Sequence, residues 1–322
     1  MRLAARADLR REPDTPALPA DGAVQETEPA PASAGALPLD ARGAVIIPAH
    51  DESAVIGRTL RSLAPLTSLA GVEVIVACNG CVDDTADIAR GFAGVHVVET
   101  DRGSKPVGLN LGDSVATAWP RLYLDADIEI EPASVLAVFE TLAQPGVYAA
   151  RPRYVYDISA ATLPVRAYYR ARSRIPVPLR MWGAGGYAAN EAGHRRFGQF
   201  AQVTADDSWF DEQFAPEEKR IVDTAPTRVR TPRDTAALLA VLTRQRRGYR
   251  ELGLESTAHT RGRALVRSIR GPRSACDVAW YVALTLISRH RARAVTRRGG
   301  AGGWERDTSS RAGGPVDGGW RR

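Results

Sequence analysis

Short apolar runs alternate with segments of helical periodicity over the first half of the chain. The apolar runs cover residues 44–48, 72–77, 95–98 and 122–124. The periodic segments cover residues 55–63, about 83–92 and about 105–118. Strands that alternate with helices at this spacing are typical of α/β proteins, so we predict an α/β fold in which a mostly parallel sheet is flanked by helices.

The pattern is less regular beyond residue 150. It predicts a strand and then a helix over 154–169, a glycine-rich turn at 182–187, short strands at 219–222 and 228–230, and a helix over 233–251. A later segment, 275–287, is apolar on nearly all sides and predicts a further helix.

The two ends of the chain lack apolar periodicity. Residues 1–42 are rich in Ala, Pro, Asp, Glu and Arg, and residues 296–322 are rich in Gly and Arg, as disordered tails are. We therefore predict an ordered domain over 43–250, with halves at 43–150 and 151–250. A C-terminal helical extension is expected over 251–295.

The composition is that of a globular protein with a basic surplus: 44% of residues are hydrophobic and 25% are charged. The net charge of +6 and pI ≈ 9.5 favour acidic partners such as nucleotides, anionic lipids or nucleic acid. No stretch approaches the ~20 apolar residues of a spanning helix, and residues 1–12 lack a signal-peptide core. Three cysteines imply no disulfide framework, so we expect a cytoplasmic protein.

Asp125 and Asp127 directly follow the apolar run 122–124. Residues two apart on a strand point to the same side, so the two carboxylates can converge on one hard cation. Mg²⁺ or Mn²⁺ prefers such oxygen ligands and would neutralise a departing nucleoside diphosphate. The alternative is that the two residues only end the strand in a turn.

Four polar segments occupy the carboxyl ends of predicted strands, namely 48–52, 78–84, 101–105 and 125–127. Ligands of parallel α/β sheets bind beyond these ends. The four segments are therefore expected to converge at one edge of the sheet.

The order of these motifs resembles the family 2 glycosyltransferases. The motifs are IIPAHDE at 46–52, VIVACNGCVDDT at 74–85, RGSK at 102–105 with Asn110, and DAD at 125–127. The resemblance covers about residues 43–250 and implies a GT-A fold. It also implies a nucleotide-sugar donor and inversion of the anomeric centre.

The resemblance implies a role for each matched position. The nucleotide sugar would be bound by Pro48, Ala49, His50, Glu52, Asn79, Asp83, Lys105 and Asp125. Asp127, together with Asp125, would hold the metal. Asp207 would be the catalytic base beside Asp206, and segment 183–186 would be the acceptor-side glycine loop. The first half, 43–150, would then bind the donor and the second half, 151–250, the acceptor.

Several of these positions have plain alternatives. Asp206 and Asp207 can cap a helix, Lys105 can be a solvated residue at a helix start, and Arg244, Arg246 and Arg247 can line a solvated helix face instead of contacting phosphate. Cys78 and Cys81 form a Cys-x-x-Cys, but no second ligand pair completes a zinc site.

Two departures from the family pattern bear on specificity. Cys78 and Asn79 replace the acidic residues common after the second strand, which leaves the nucleobase open, although an Asn carbonyl can accept the same hydrogen bond. The segment 244–249 only approximates the Gln-x-x-Arg-Trp signature and lacks its Trp. A processive polymerase is therefore not expected.

The apolar segment 275–287 contains Trp280 and Tyr281 and is flanked by arginines. It is too short to span a bilayer. Such chemistry suits a helix lying on the inner face of an anionic cell membrane, and a buried or dimer-forming helix is the alternative.

Together these observations predict an inverting, metal-dependent and non-processive glycosyltransferase. It would move one sugar from a nucleoside diphosphate sugar to a hydroxyl acceptor, which is a glycan, a lipid-linked molecule or a small molecule. A non-catalytic nucleotide-sugar binder and a nucleotidyltransferase are the alternatives. No nucleic-acid partner is expected, because the arginines lack an aromatic-interleaved or helix-turn-helix setting.

Overall fold

The computed structural model describes residues 37–38, 40–175, 179–183, 185–254 and 258–297. Most of the predicted tails, 1–42 and 296–322, lies outside these residues. The predicted tails and domain boundaries therefore stay predictions.

Within the described residues, seven strands form one sheet. They are β1 (Gly43–Ala49), β2 (Val72–Asn79), β3 (Val95–Thr100), β4 (Arg121–Leu124), β5 (Ala149–Asp157), β6 (Gly186–Ala189) and β7 (Lys219–Arg230). Their order across the sheet is β3-β2-β1-β4-β6-β5-β7. The pairs β1–β2, β2–β3, β1–β4 and β5–β7 are parallel, and only β6 runs antiparallel to its neighbours β4 and β5. The predicted mostly parallel sheet is confirmed.

Helices accompany the sheet along the whole described chain. They are α1 (Ile56–Leu63), α2 (Thr85–Arg90), α3 (Lys105–Val115), α4 (Pro132–Leu142), α5 (Leu163–Ser173), α6 (Glu191–His194), α7 (Asp206–Asp211), α8 (Thr235–Glu251), α9 (Ala258–Arg267) and α10 (Pro272–Arg297). All seven residues of β1 and all four of β4 are buried, as expected of central strands covered on both faces.

The structure differs from the sequence prediction at several elements. Segment 219–230 forms one strand, with an irregular register against β5, where two short strands were predicted. The glycine-rich segment continues directly into β6, and α4 was not predicted at all. The predicted helix over 275–287 is the middle of the much longer α10. The differences at β6 and β7 lie where pairing with distant strands, and not local periodicity, sets the element.

The C-terminal helices form an apolar cluster with α5 and α8. Tyr281 of α10 stacks on Tyr168 of α5, with ring centroids 4.8 Å apart. Leu284 of α10 and Leu242 of α8 are buried in the same cluster. No helix in the described part of the chain has both the length and the apolar character needed to cross a bilayer.

Candidate active site

A cavity of about 590 Å³ lies at the carboxyl ends of β1 and β4. Acidic and basic side chains from four segments line it, namely Glu52 after β1, Lys105 at the start of α3, Asp125 and Asp127 after β4, and Asp206 and Asp207 at the start of α7. Pro48 also lines the cavity. Three of the four polar segments predicted to converge do meet here, whereas segment 78–84 contributes no residue to the lining.

Asp125 and Asp127 lie in a turn after β4, and not on the strand itself. The two-residue repeat of a strand therefore does not explain why both carboxylates line the cavity. Distant contacts fix the turn instead: the Asp125 amide donates to the Gly185 carbonyl (2.8 Å), and the Thr59 hydroxyl donates to the Ala126 carbonyl (2.7 Å).

The glycine-rich segment packs closely on this turn. Gly185 has φ +67°, and a Cβ there would lie 2.4 Å from the Ile128 side chain. A larger residue at this position would push the segment away from the turn. Glycine is therefore required at 185 both for its backbone conformation and for the close approach.

Asp211, at the end of α7, anchors the chain just before the glycine-rich segment. Its carboxylate is fully buried and accepts from the Met181 amide (2.8 Å), Lys219 Nζ (3.0 Å) and Arg180 (2.7 Å). These bonds join α7, β7 and segment 180–181. They hold this wall of the cavity in place.

Lys105 connects the two acidic parts of the cavity. Its ammonium lies 2.7 Å from Asp125 Oδ1 and 2.9 Å from Asp206 Oδ2. Burial by itself would lower the pKa of Lys105, but the two carboxylates outweigh it and raise this pKa. Lys105 is thus a permanent positive charge, and its alternative as a merely solvated residue is wrong.

Asp206 and Asp207 have different surroundings although they are adjacent. Asp206 is 5% exposed and accepts from Lys105 and from the Tyr187 hydroxyl (2.7 Å). Asp207 is half-buried, and its Oδ1 accepts from the Ser208 amide (2.6 Å). Asp206 is therefore held in position by charged and polar neighbours, whereas Asp207 lines the cavity with only local hydrogen bonds.

The pKa of Asp207 is raised to about 6, because partial burial disfavours the charged form and Asp206 lies beside it, against the opposing effect of Lys105. A carboxylate with this pKa is deprotonated at neutral pH and is more basic than an ordinary aspartate. These are the properties of a general base. The N-cap residue of α7 is Ala205 and not Asp207, so helix capping explains only part of the contacts of Asp207.

The loops after β1 and β2 are bonded to each other. His50 Nδ1 lies 2.6 Å from the Asn79 carbonyl oxygen, and the Asp83 carboxylate accepts from the Ser53 amide (3.1 Å) and from Thr85. Neither His50 nor Asp83 lines the cavity, and Ala49 does not either. Their roles in nucleotide binding stay predictions.

Asn79 lies beneath α3 and is 0% exposed. A Cβ on Gly108 would lie 2.8 Å from Asn79 Oδ1, and no hydrogen bond to either side-chain amide atom is formed within the described residues. A nucleobase cannot reach this amide in the present conformation. The predicted contact of Asn79 with the base therefore needs a rearrangement and stays a prediction.

The Cys-x-x-Cys lies beside the same loops. Cys78 and Cys81 are free thiols, and a hydrogen bond between them lowers the pKa of Cys81 to about 7. One ligand atom each of Cys81, Asp51 and Asp83 lies within 4.8 Å of the others. The Cys81 thiol lies 3.3 Å from the Ala49 carbonyl, and Asp51 accepts from the Val82 amide (2.7 Å). These contacts stabilise the loops.

Aromatic and basic residues form a further part of the cavity, of which the sequence had pointed only to Arg244 and Arg247. They are Tyr156 of β5, Tyr168, Tyr169 and Arg172 of α5, and Arg244 and Arg247 of α8. The spacing of Tyr168 and Arg172, four residues apart, was the one available signal that these side chains share a helix face. Arg246 instead turns to α10 and donates to the Ser288 hydroxyl (2.8 Å), so its predicted alternative of a solvated face is wrong.

Solved structures with this architecture are sugar-transferring enzymes. A mannosyltransferase from Pyrobaculum calidifontis, solved with GDP-Man and Mn²⁺, is 19% identical, with 79% of this chain and 83% of that chain covered and a TM-score of 0.51. A glucosyl-3-phosphoglycerate synthase from Mycobacterium tuberculosis is 19% identical (68% and 82% covered, TM-score 0.46). A mannosyl-3-phosphoglycerate synthase from Rubrobacter xylanophilus is 17% identical (68% and 77% covered, TM-score 0.45). The fold is that of the GT-A glycosyltransferases.

A family model matches part of the sequence. Residues 44–196 match the model of Glycosyl transferase family 2. The resemblance and the predicted enzyme class are confirmed. No curated protein sequence matches the chain.

Proposed function

We propose that the protein is an inverting, metal-dependent glycosyltransferase that moves one sugar from a nucleoside diphosphate sugar to a hydroxyl acceptor. One observation carries the proposal: Lys105 joins the Asp125 turn to the Asp206–Asp207 pair within one cavity. The carboxylates that would bind the metal and the carboxylate that would act as base therefore face the same substrate.

The chain's own residues account for the proton and the charge in this step. Asp207 accepts the proton of the acceptor hydroxyl while the hydroxyl oxygen bonds to the anomeric carbon. The bond from that carbon to the diphosphate oxygen breaks on the opposite face, which inverts the anomeric centre. Lys105 supplies a fixed positive charge beside Asp125, and the Tyr187 hydroxyl holds Asp206 in place.

The donor set at the Asp125 turn fits a divalent metal. Two carboxylates two residues apart line one cavity, and carboxylate oxygens are ligands that Mg²⁺ and Mn²⁺ prefer. Bound at Asp125 and Asp127, the ion would neutralise the departing diphosphate. The Pyrobaculum calidifontis enzyme, which has the same fold, was solved with GDP-Man and Mn²⁺, and this agrees with the proposal.

A thermal-shift panel tests the donor site. UDP, GDP, dTDP and CDP would each be added with Mn²⁺ or with a chelator, and metal alone serves as the control. A ligand at ~100 times its Kd should stabilise the folded protein by about 2.7 kcal/mol. A metal-dependent shift with one nucleotide supports the proposal and names the base. No shift with any of the four contradicts it.

The two rival functions give other results. A non-catalytic binder would show the same thermal shift but no release of nucleoside diphosphate from any donor. A nucleotidyltransferase would release pyrophosphate from a nucleoside triphosphate. The loop after β1, 48–52, carries no basic glycine-rich phosphate motif, which weighs against that class.

We also propose that α10 docks on an anionic membrane surface. Its inner face holds Tyr281 and Leu284 against α5 and α8, whereas Trp280, Leu286 and Ile287 on the outer face are 39%, 55% and 43% exposed. Basic residues flank segment 275–287 along the chain, namely Arg270, Arg273, Arg289, Arg291 and Arg293. An apolar face between cationic ends is complementary to an anionic lipid interface.

Vesicle co-sedimentation tests this surface. The protein should sediment with phosphatidylcholine vesicles that contain phosphatidylglycerol and not with phosphatidylcholine alone. The double variant Trp280→Ser/Leu286→Ser should lose this binding, and Leu163→Ser, which removes an exposed leucine of α5, should keep it. A stable dimer in light scattering together with no vesicle binding would assign the face to self-association and refute the proposal.

A further inference from the structure

Arg172 lies in the cavity wall formed by β5, α5 and α8. Its Nε donates to the Tyr156 hydroxyl (2.9 Å), and its guanidinium carbon lies 5.8 Å from the centre of that ring. Tyr154 and Tyr168 are its other close polar neighbours. Among the residues that the structure describes, no carboxylate forms an ion pair with Arg172.

Two neighbouring arginines on the same helix are a useful contrast. Arg170 and Arg174 pair with Asp277 of α10, which is 1% exposed, at 2.6 Å and 2.9 Å. They lie four residues apart on one helix face, and Arg172 lies between them on the opposite face. Asp277 of α10 therefore supplies a counter-charge to Arg170 and Arg174, whereas Arg172, which lines the cavity, contacts phenol groups.

Arg172 keeps its charge in this setting. It is half-buried, and although burial alone would lower its pKa, the surrounding tyrosines raise it. A partly dehydrated cation with no counter-ion is costly, and an anionic ligand would offset that cost. A guanidinium is also suited to bind phosphate or carboxylate through two parallel hydrogen bonds.

We propose that the acceptor carries an anionic group, a phosphate or a carboxylate, and that Arg172 binds this group. The inference rests on the proposed function, because it takes the acceptor hydroxyl to lie at Asp207 in the same cavity. The acceptor is then a phosphorylated or carboxylated alcohol. Tyr156 orients the Arg172 guanidinium and is a positioning residue.

Binding of inorganic phosphate is the direct test. Protein saturated with the nucleoside diphosphate that binds best and with Mg²⁺ would be titrated with phosphate, and its melting temperature recorded. The wild type should gain a further shift. Arg172→Gln should lose most of that gain, Arg172→Lys should keep part of it, and Arg153→Gln should keep it all. Arg153 is the matched control because it is an exposed arginine of β5, paired only with Asp223 at the surface.

The outcomes separate this inference from the proposed function. An undiminished phosphate shift in Arg172→Gln overturns the anionic subsite, provided that the ligand-free variant melts as a folded protein. If no nucleotide binds the wild type, the donor proposal fails. The phosphate titration of ligand-free Arg172→Gln against Arg153→Gln then still decides whether Arg172 binds an anion.

Transfer assays distinguish the sources of the anion. Glycerol 3-phosphate represents a soluble acceptor and phosphatidic acid vesicles a lipid-linked one, with glycerol and phosphatidylcholine as the neutral controls. If either anionic probe is an acceptor, its KM should be at least tenfold higher in Arg172→Gln than in the wild type. The KM of the donor should be unchanged. Efficient transfer to the neutral controls, equal in wild type and variant, would refute the inference.

Discussion

The two halves of the domain, named the donor half and the acceptor half after their proposed roles, reach the same cavity by different routes. The donor half, β1 to β4 with their helices, sends loops out from the carboxyl ends of adjacent parallel strands. The acceptor half, from β5 to α8, has no such regularity, and long-range contacts hold it. Asp211, for example, joins α7 to β7 and to segment 180–181. The donor half is thus organised by topology and the acceptor half by buried polar anchors.

The largest effect is expected from the base of the acceptor half. Asp207→Asn should lower sugar transfer by about 10²–10⁴-fold, because the acceptor hydroxyl loses its proton acceptor. Metal-dependent nucleotide binding should be unchanged, since the donor loops are not altered. Initial rates and thermal shifts on the same preparation check this. Retained turnover would place the base elsewhere.

The next effect concerns the anchor of the acceptor half. Asp211→Ala leaves Lys219 buried at 3% exposure without its carboxylate, which should destabilise the fold by roughly 3–5 kcal/mol. Denaturant unfolding measures this loss. Glu191→Ala, which breaks only an exposed ion pair with Arg195, should cost less than about 0.5 kcal/mol. Equal small losses in both variants would contradict the anchoring role.

The matching test of the donor half is Asp127→Ala. It should abolish the part of nucleotide stabilisation that depends on Mn²⁺, up to about 2.7 kcal/mol at 100 times Kd. The ligand-free protein should change little, because the side chain lies in a turn at the cavity. Isothermal titration with and without chelator gives the answer. Unchanged Mn²⁺ dependence would remove the metal assignment from this turn.

The smallest effect is a gain in stability with a defined pH dependence. The pKa of Asp207 is about 6 in the folded protein, above the value of 3.8 of a free aspartate, so the folded state loses stability as pH rises from about 4 to 6. Asp207→Asn should therefore be more stable than the wild type by on the order of 1–3 kcal/mol above pH 6. The gain should vanish below about pH 4. Urea unfolding at pH 4 and pH 8 measures this gain. A variant that is less stable than the wild type at pH 8 would show that ionised Asp207 does not destabilise the folded protein.

The accuracy of the sequence predictions follows the same division. The apolar runs of β1, β2 and β4 mark buried strands because both faces of a central strand are covered, and no distant information is needed to see them. Strand β6 has only four residues, Gly186–Ala189, and no local signal separates it from the preceding turn. Pairing with β4 and β5 defines it. Similarly, the sequence gives no sign that 219–222 and 228–230 are parts of one strand.

The candidate site shows most clearly what the sequence and what the tertiary structure each determine. The sequence by itself indicated the family resemblance and the acidic motif at Asp125 and Asp127, because these are local combinations of residues, and it left the role of Lys105 open. The tertiary structure alone decided that Lys105 bridges Asp125 and Asp206, that Asn79 is enclosed beneath α3, and that Arg172 faces the cavity without a carboxylate partner among the described residues. The physical reason is that burial and charge pairing depend on which segments meet in space, and that is not written in the spacing of residues along the chain.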